Sequence, residues 1–153
     1  MKLYVLNGPN LNMLGIREPG IYGKQDFNAL IQYISDVCAR EGIEVECFQS
    51  NHEGVLVDII QSALGKADGI VINPAAYTHT SVAILDALKA VALPAVEVHL
   101  SDVSQRESFR HVSYPAMACI AQIKGKGFQG YEEAILMLKE YLQKEELRWR
   151  KHV

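Results

Sequence analysis

The sequence is short of the features that hold small or extracellular domains together covalently. It has three cysteines, Cys38, Cys47 and Cys119, an odd number with no CxxC spacing. That pattern argues against a disulfide or zinc framework and predicts buried thiols in a reducing compartment. Long apolar runs are also missing. No stretch approaches the ~18 residues of a membrane span. The run from Met1 to Asn7 is too short for a signal peptide and is broken at once by Gly8 and Pro9. The expected setting is therefore cytoplasmic, with no membrane partner. Nor is there a cationic excess: 15 basic residues stand against 18 acidic ones, net −3. Without such an excess the chain has no general means of tracking a phosphate backbone, so a nucleic-acid partner is not expected.

What is present suits a globular core. The 153 residues are 49% hydrophobic and 22% charged, which fits one domain over 1–153. A chain of this length buries roughly two thirds of its unfolded surface and needs no metal or disulfide to fold. No internal repeat, linker or low-complexity segment interrupts it.

Short β-rich runs alternate with helical patterns. Leu3–Asn7 reads as a buried strand. Asp26 reads as the cap of a helix carrying Phe27, Leu30, Ile31, Ile34, Val37 and Cys38, which Gly42 stops. Residues 43–49 alternate apolar and polar, as an edge strand does. A helix from about Gly54 to Leu64 turns Leu56, Val57, Ile60 and Leu64 inward. Gly69–Asn73 is a continuous apolar strand of the kind covered on both faces. Thr80 or Ser81 caps a helix with Val82, Leu85, Leu88 and Val91. Ala95–Leu100 and Met117–Ile123 read as strands, Gln129–Glu146 as a last amphipathic helix, and Leu147–Val153 as a frayed basic tail. The order β-α-β-α-β-α-β-β-α predicts an α/β fold: a doubly wound, parallel five-stranded sheet in a three-layer α/β/α sandwich. Its flavodoxin-like strand order would be 2-1-3-4-5.

In such sheets, ligands bind beyond the carboxyl ends of the strands. The loop after the first strand is long for a βα connection and rich in glycine and proline, as lids and binding loops are. Four of the five histidines fall in or near loops on this half. His52 and Glu53 read as a solvent-facing helix start. His79 either caps the next helix or faces a ligand. His99 ends an apolar strand with Glu97 two residues back on the same face. A carboxylate there favours the protonated imidazole and orients it, as a general acid requires; a structural ion pair is the alternative. Taken singly, Tyr22 reads as a packing residue and Arg17 as a solvated cation. Neither GxGxxG nor GxxxxGK[ST] is present, no HExxH occurs, and no acidic cluster follows the first strand. His52, His79 and His99 with Glu53 or Glu97 have no diagnostic metal-ligand spacing.

Together these loops resemble the type II 3-dehydroquinate dehydratase family. The matching segments are Leu6–Asn12 with Arg17-Glu18-Pro19 and Tyr22-Gly23, then Gln49–Gly54, Ile72–Ser81 and Glu97–Ser101. Phe109-Arg110-His111 with Ser113-Tyr114 completes them. The resemblance runs over about residues 3–131 in family order. It implies a flavodoxin-like protomer, a homo-dodecamer built as a tetramer of trimers, and no cofactor or metal. It also implies anti elimination of water from 3-dehydroquinate through an enolate, giving 3-dehydroshikimate. The setting would be the shikimate pathway to chorismate and aromatic amino acids, or alternatively quinate catabolism.

The resemblance further assigns roles. Tyr22 would be the base; ionising a phenol at neutral pH costs roughly 4 kcal/mol, which a cation at Arg17 would reduce. Asn10 would orient a water on the enolate oxygen. His99, held by Glu97, would be the acid for the leaving hydroxyl. Asn73 and the backbone N–H groups of Leu100 and Ser101 would hold the substrate carboxylate. His79 and Arg110 would bind the ring hydroxyls and the remaining polar edge, and Asp86 would reach substrate from a neighbouring subunit, though by itself it reads equally as an exposed helix carboxylate. Ala75 departs from an expected glycine, Ile16 and Gly20 are unusual in the loop, and Lys124 and Lys126 replace small or apolar residues.

Overall fold

The computed structural model describes residues 1–16 and 25–153. Five strands form one parallel sheet: β1 (Lys2–Asn7), β2 (Glu44–Gln49), β3 (Gly69–Asn73), β4 (Ala95–His99) and β5 (Ala121–Lys124). Their spatial order is β2-β1-β3-β4-β5, as the alternation of elements predicts. The register aligns Asn7 with both Gln49 and Asn73 at the strand ends. It also aligns Glu97 with Gln122 and His99 with Lys124.

Helices α1 (Phe27–Arg40), α2 (Glu53–Ser62), α3 (Val82–Val91) and α4 (Phe128–Lys151) cover the two faces. Leu30, Ile34 and Val37 of α1, with Tyr131, Ile135 and Leu138 of α4, pack on Leu3, Val5, Val71, Val96 and Val98. Leu56 and Ile60 of α2, with Ile84, Leu88 and Val91 of α3, pack on Tyr4, Leu6, Ile70 and Ile72. Alternate residues of β1 and β3 thus serve opposite layers, which is why these strands read as unbroken apolar runs. Burying each large aliphatic side chain contributes about 1.5–3 kcal/mol. The Asp26 carboxylate accepts from the Ala29 N–H at 2.8 Å, and Ser81, rather than Thr80, caps α3 through Ile84 N–H at 2.9 Å.

Several expectations give way. Leu64 is exposed, because α2 ends at Ser62 and the chain turns before it. Val82 is also exposed, in the first turn of α3. The strand expected from Met117 begins only at Ala121. Pro115 opens a 3-10 turn over Pro115–Ala118, and pairing with β4 resumes when Ile120 N–H donates to the Ala95 carbonyl. The expected frayed tail is helical to Lys151, with exposed pairs Glu140–Lys144, Glu145–Arg148 and Glu146–Arg150 along it. Cys38 is buried, but Cys47 and Cys119 are only partly so. Among the described residues, no helix is long and apolar enough to cross a membrane.

Candidate active site

A cavity of about 560 Å3 opens at the carboxyl ends of β1, β3 and β4. This is where the strand order reverses and an open α/β sheet leaves a crevice. Asn10, Asn73, His79, His99, Leu100, Ser101 and Arg110 all line it, so seven residues singled out in the sequence meet at one place. Arg106 lines it too. No acidic residue does so among the described residues, and the lining therefore favours an anion.

The Asn10 side of the cavity rests on close backbone approaches. A side chain at Gly8 would come within 2.5 Å of the Pro74 carbonyl oxygen, so only glycine fits. The Gly8 N–H donates to the Asn73 carbonyl at 2.8 Å. Asn10 then turns through the left-handed region at φ 69, which asparagine tolerates. Its N–H donates to the Asn51 side chain at 3.0 Å. Gln49 Nε2 donates to the Gly8 carbonyl at 3.2 Å and to Asn51 Oδ1 at 3.1 Å. The Gln49–Gly54 segment therefore serves as a brace for the first loop. His52 makes no capping bond with its side chain and lies outside the cavity lining.

Beneath Asn73 lies a neutral buried network. Tyr131 Oη donates to Asn7 Oδ1 at 2.7 Å and accepts from Asn73 Nδ2 at 3.0 Å. Asn73 Oδ1 in turn accepts from the Ala75 N–H at 3.1 Å. Burial raises the Tyr131 phenol well above its ordinary value, so it acts here only as a neutral hydroxyl. Ala75 sits at φ 52, a region that suits glycine, and it supports the amide-side turn despite its methyl group.

The β4 end is charged instead. Glu97 is 0% exposed and His99 is 4% exposed. His99 Nε2 lies 3.0 Å from Glu97 Oε2. A carboxylate accepts only, so Nε2 carries the hydrogen and Nδ1 is the ring's remaining nitrogen. Ser113 Oγ donates to Glu97 Oε1 at 2.6 Å, and Gln122 Nε2 donates to Oε2. Burial alone pushes the Glu97 carboxyl up. The hydrogen bonds from His99, Ser113 and Gln122, with the attraction of His99, outweigh it and hold the group below the usual carboxylate range.

On the outer wall, His79 Nδ1 donates to the Val112 carbonyl at 2.8 Å, which ties the link after β4 to the loop after β3. His79 thus does not cap α3. Arg110 Nε donates to Glu107 Oε2 at 2.8 Å. Asp86 is exposed on α3 and outside the lining of its own chain's cavity. Arg17, Gly20 and Tyr22 lie outside the described residues. Lys124 is exposed at the end of β5, and Lys126 pairs with Glu133 at 2.7 Å. Among the described residues, no group of three His, Cys, Asp or Glu side chains is placed to hold a metal ion.

The profile of the family described as "Dehydroquinase class II" matches residues 1–139. The chain belongs to the class II dehydroquinase family. It is 55% identical over 144 residues to the 3-dehydroquinate dehydratase of Clostridium perfringens (strain SM101 / Type A), covering 94% of this chain and 99% of that protein. It is 60% identical over 131 residues to the enzyme of the same name from Geotalea daltonii, covering 86% and 91%. The crystal structure of the type II dehydroquinase from Butyrivibrio crossotus superposes with a TM-score of 0.87 at 53% identity, covering 91% of this chain and 97% of that one.

Sequence reasoning missed Arg106, Phe128, Gln122 and the Asn7–Tyr131–Asn73 network, and it named Ser113 only within a matching segment, with no role. Tyr131 carried a usable signal, since a tyrosine on the apolar stripe of an amphipathic helix needs a partner for its hydroxyl. Gln122 carried none, because an exposed polar residue on an edge strand looks ordinary.

Proposed function

We infer that this chain is a hydro-lyase that dehydrates 3-dehydroquinate to 3-dehydroshikimate. The observation that carries this reading is a cation-lined crevice holding a buried His99–Glu97 pair, in a member of the class II dehydroquinase family. The substrate's ketone directs the chemistry. Tyr22 removes a proton from the carbon beside the ketone, and the electron pair moves onto the carbonyl oxygen as an enolate. Arg17 stabilises the tyrosinate that this step needs. Leu14 and Gln25, which flank these residues in sequence, both line the cavity and support the assignment. Asn10 holds a water against the enolate oxygen. The enolate then reforms the ketone, the C–O bond at the β carbon breaks, and His99 donates the proton that lets the hydroxyl leave as water.

Asn73 with the Leu100 and Ser101 N–H groups binds the carboxylate, and His79 and Arg110 bind the ring's polar edge. Tyr22 and His99 work from opposite ring faces, which makes the elimination anti. Asp86 acts on a neighbouring protomer's site in a dodecamer of four trimers. Phe109, Val112, Met117 and Ile120, all exposed in the link between β4 and β5, support such burial between copies. The proposed context is biosynthesis of aromatic amino acids. Aromatic auxotrophy on gene loss would support it, and a defect confined to growth on quinate would overturn it.

The deciding experiment gives purified chain 3-dehydroquinate and follows the absorbance of the conjugated enone. Turnover that survives chelation is expected; a folded sample with no turnover sinks the reading. Tyr22→Phe should lose nearly all turnover while still binding substrate, and near-normal kcat would mean another base operates. A 17.0 kDa species in sedimentation at assay concentration would contradict the assembly.

A further inference from the structure

The Glu97 carboxylate poses a physical problem. It is wholly buried, and a buried carboxyl with one imidazole partner is pushed toward its neutral form. A neutral Glu97 would hold the His99 ring only by a weaker hydrogen bond and would not balance its charge. Two groups far away in sequence meet this carboxylate. Ser113 lies in the link after β4, and its Oγ accepts the Ala116 N–H at 3.1 Å while donating to Glu97 Oε1 at 2.6 Å. The backbone N–H takes up an acceptor site on the hydroxyl and leaves its single hydrogen for the carboxylate. Gln122 stands directly opposite Glu97 in the β4–β5 register, and its amide donates to Oε2, the oxygen that also takes His99. Among the described residues, Cys119 also faces Glu97, and burial with the Glu97 charge pushes its thiol up to about 12, so it adds no competing anion. Neither donor contributes to the cavity lining, so neither touches substrate from the positions it holds.

We propose that Ser113 and Gln122 are positioning residues that hold Glu97 as a fixed anionic acceptor, so that His99 keeps Nε2 on Glu97 and offers Nδ1 to the leaving hydroxyl. This rests on the reading of His99 as the acid. It adds two residues that act through another side chain, one of them on an exposed edge strand. Because the donors approach both carboxylate oxygens, loss of either leaves the carboxylate room to rotate and lets the imidazole change partner.

The test uses Ser113→Ala, Gln122→Met, the conservative Ser113→Thr, and histidine-labelled protein in nitrogen NMR, with His99→Ala assigning the His99 signals. Ser113→Ala and Gln122→Met should each lower kcat by about tenfold to a hundredfold, the range for a hydrogen bond to a buried charge, with KM within about threefold. Exchange of the α-carbon proton should persist, so the ratio of exchange to dehydration rises. Ser113→Thr should recover most of kcat. The Nε2–H resonance of His99 should move in the two disabling variants and return in Ser113→Thr. Equal loss of exchange and dehydration, with that resonance unmoved, would reduce both residues to packing and overturn the proposal. If the wild-type chain shows no turnover while the variants still shift the resonance, the clamp stands and the proposed activity falls. If the wild type turns over and both variants match it, the clamp falls and the activity stands.

Discussion

The two ends of the crevice are built on opposite principles. At the β1–β3 end, Asn7, Asn73 and Tyr131 form a buried network without charge. At the β4 end, Glu97, His99, Ser113 and Gln122 form a network centred on a buried anion. A neutral network can only set positions, because its hydroxyl and amides hold fixed protons near pH 7. A charged one also presents a fixed anion to the Nε2 of its histidine. On the proposed function, the same sheet separates holding the substrate from transferring a proton, with the two networks turned toward different helical layers.

The largest effect that tests this division should come from His99→Ala. Dehydration should fall by about 10²–10⁴, the usual share of general acid catalysis, while α-proton exchange continues. Exchange falling as far as dehydration would show that the charged end does more than the second step. Next is Glu97→Gln, which keeps the shape and removes the charge; kcat should drop by about tenfold to a hundredfold. Its pH behaviour has a definite sign. The folded carboxyl lies below its ordinary value, so its ionisation contributes stability above the ordinary range near ~4.3. That contribution is lost as pH falls through the depressed folded value. Urea unfolding should therefore show the wild type losing ground to E97Q on acidification, and a difference independent of pH would break the assignment.

Tyr131→Phe should behave differently. It strands the Asn7 and Asn73 amides in the core, which costs about 1–3 kcal/mol of stability. At roughly 2–4 °C of melting temperature per kcal/mol for a chain of this size, calorimetry resolves it. The kinetic signature should be a raised KM with kcat little changed. A fall in kcat alone would erase the contrast between the two ends. The smallest effect is expected from Ala75→Gly. Relief of the φ 52 conformation, worth ~1–2 kcal/mol, is offset by the ~0.4–1 kcal/mol of extra unfolded-chain entropy of glycine. A net gain of about 0–1.6 kcal/mol in urea unfolding should result, and a clear loss would mean that the Ala75 methyl group contributes packing at the cavity wall.

The legibility of the molecule follows the range of the forces involved. The strands, most helix limits and the strand order could be read because apolar periodicity, Asp26 and Ser81 as caps, and Gly42 act locally. The Glu97–His99 pair could be read because residues two apart on a strand share a face. The late start of β5 could not be, since Ile120 looks like strand until Pro115 and the β4 edge compete for its neighbours. Gln49–Gly54 matched a family motif, yet its work as a brace for Asn10 appears only when β2 and β1 lie side by side.

By itself, the sequence determined most of the strands and helices, the family, and which residues are candidates for the site, because these rest on local pattern and on residue identity in order. Only the tertiary structure decided that Tyr131 supports Asn73, that Ser113 and Gln122 converge on Glu97, and that Ala75 holds a left-handed turn. The first two depend on residues 16 to 58 positions apart being brought within hydrogen-bonding reach by the parallel sheet. No local rule encodes that distance.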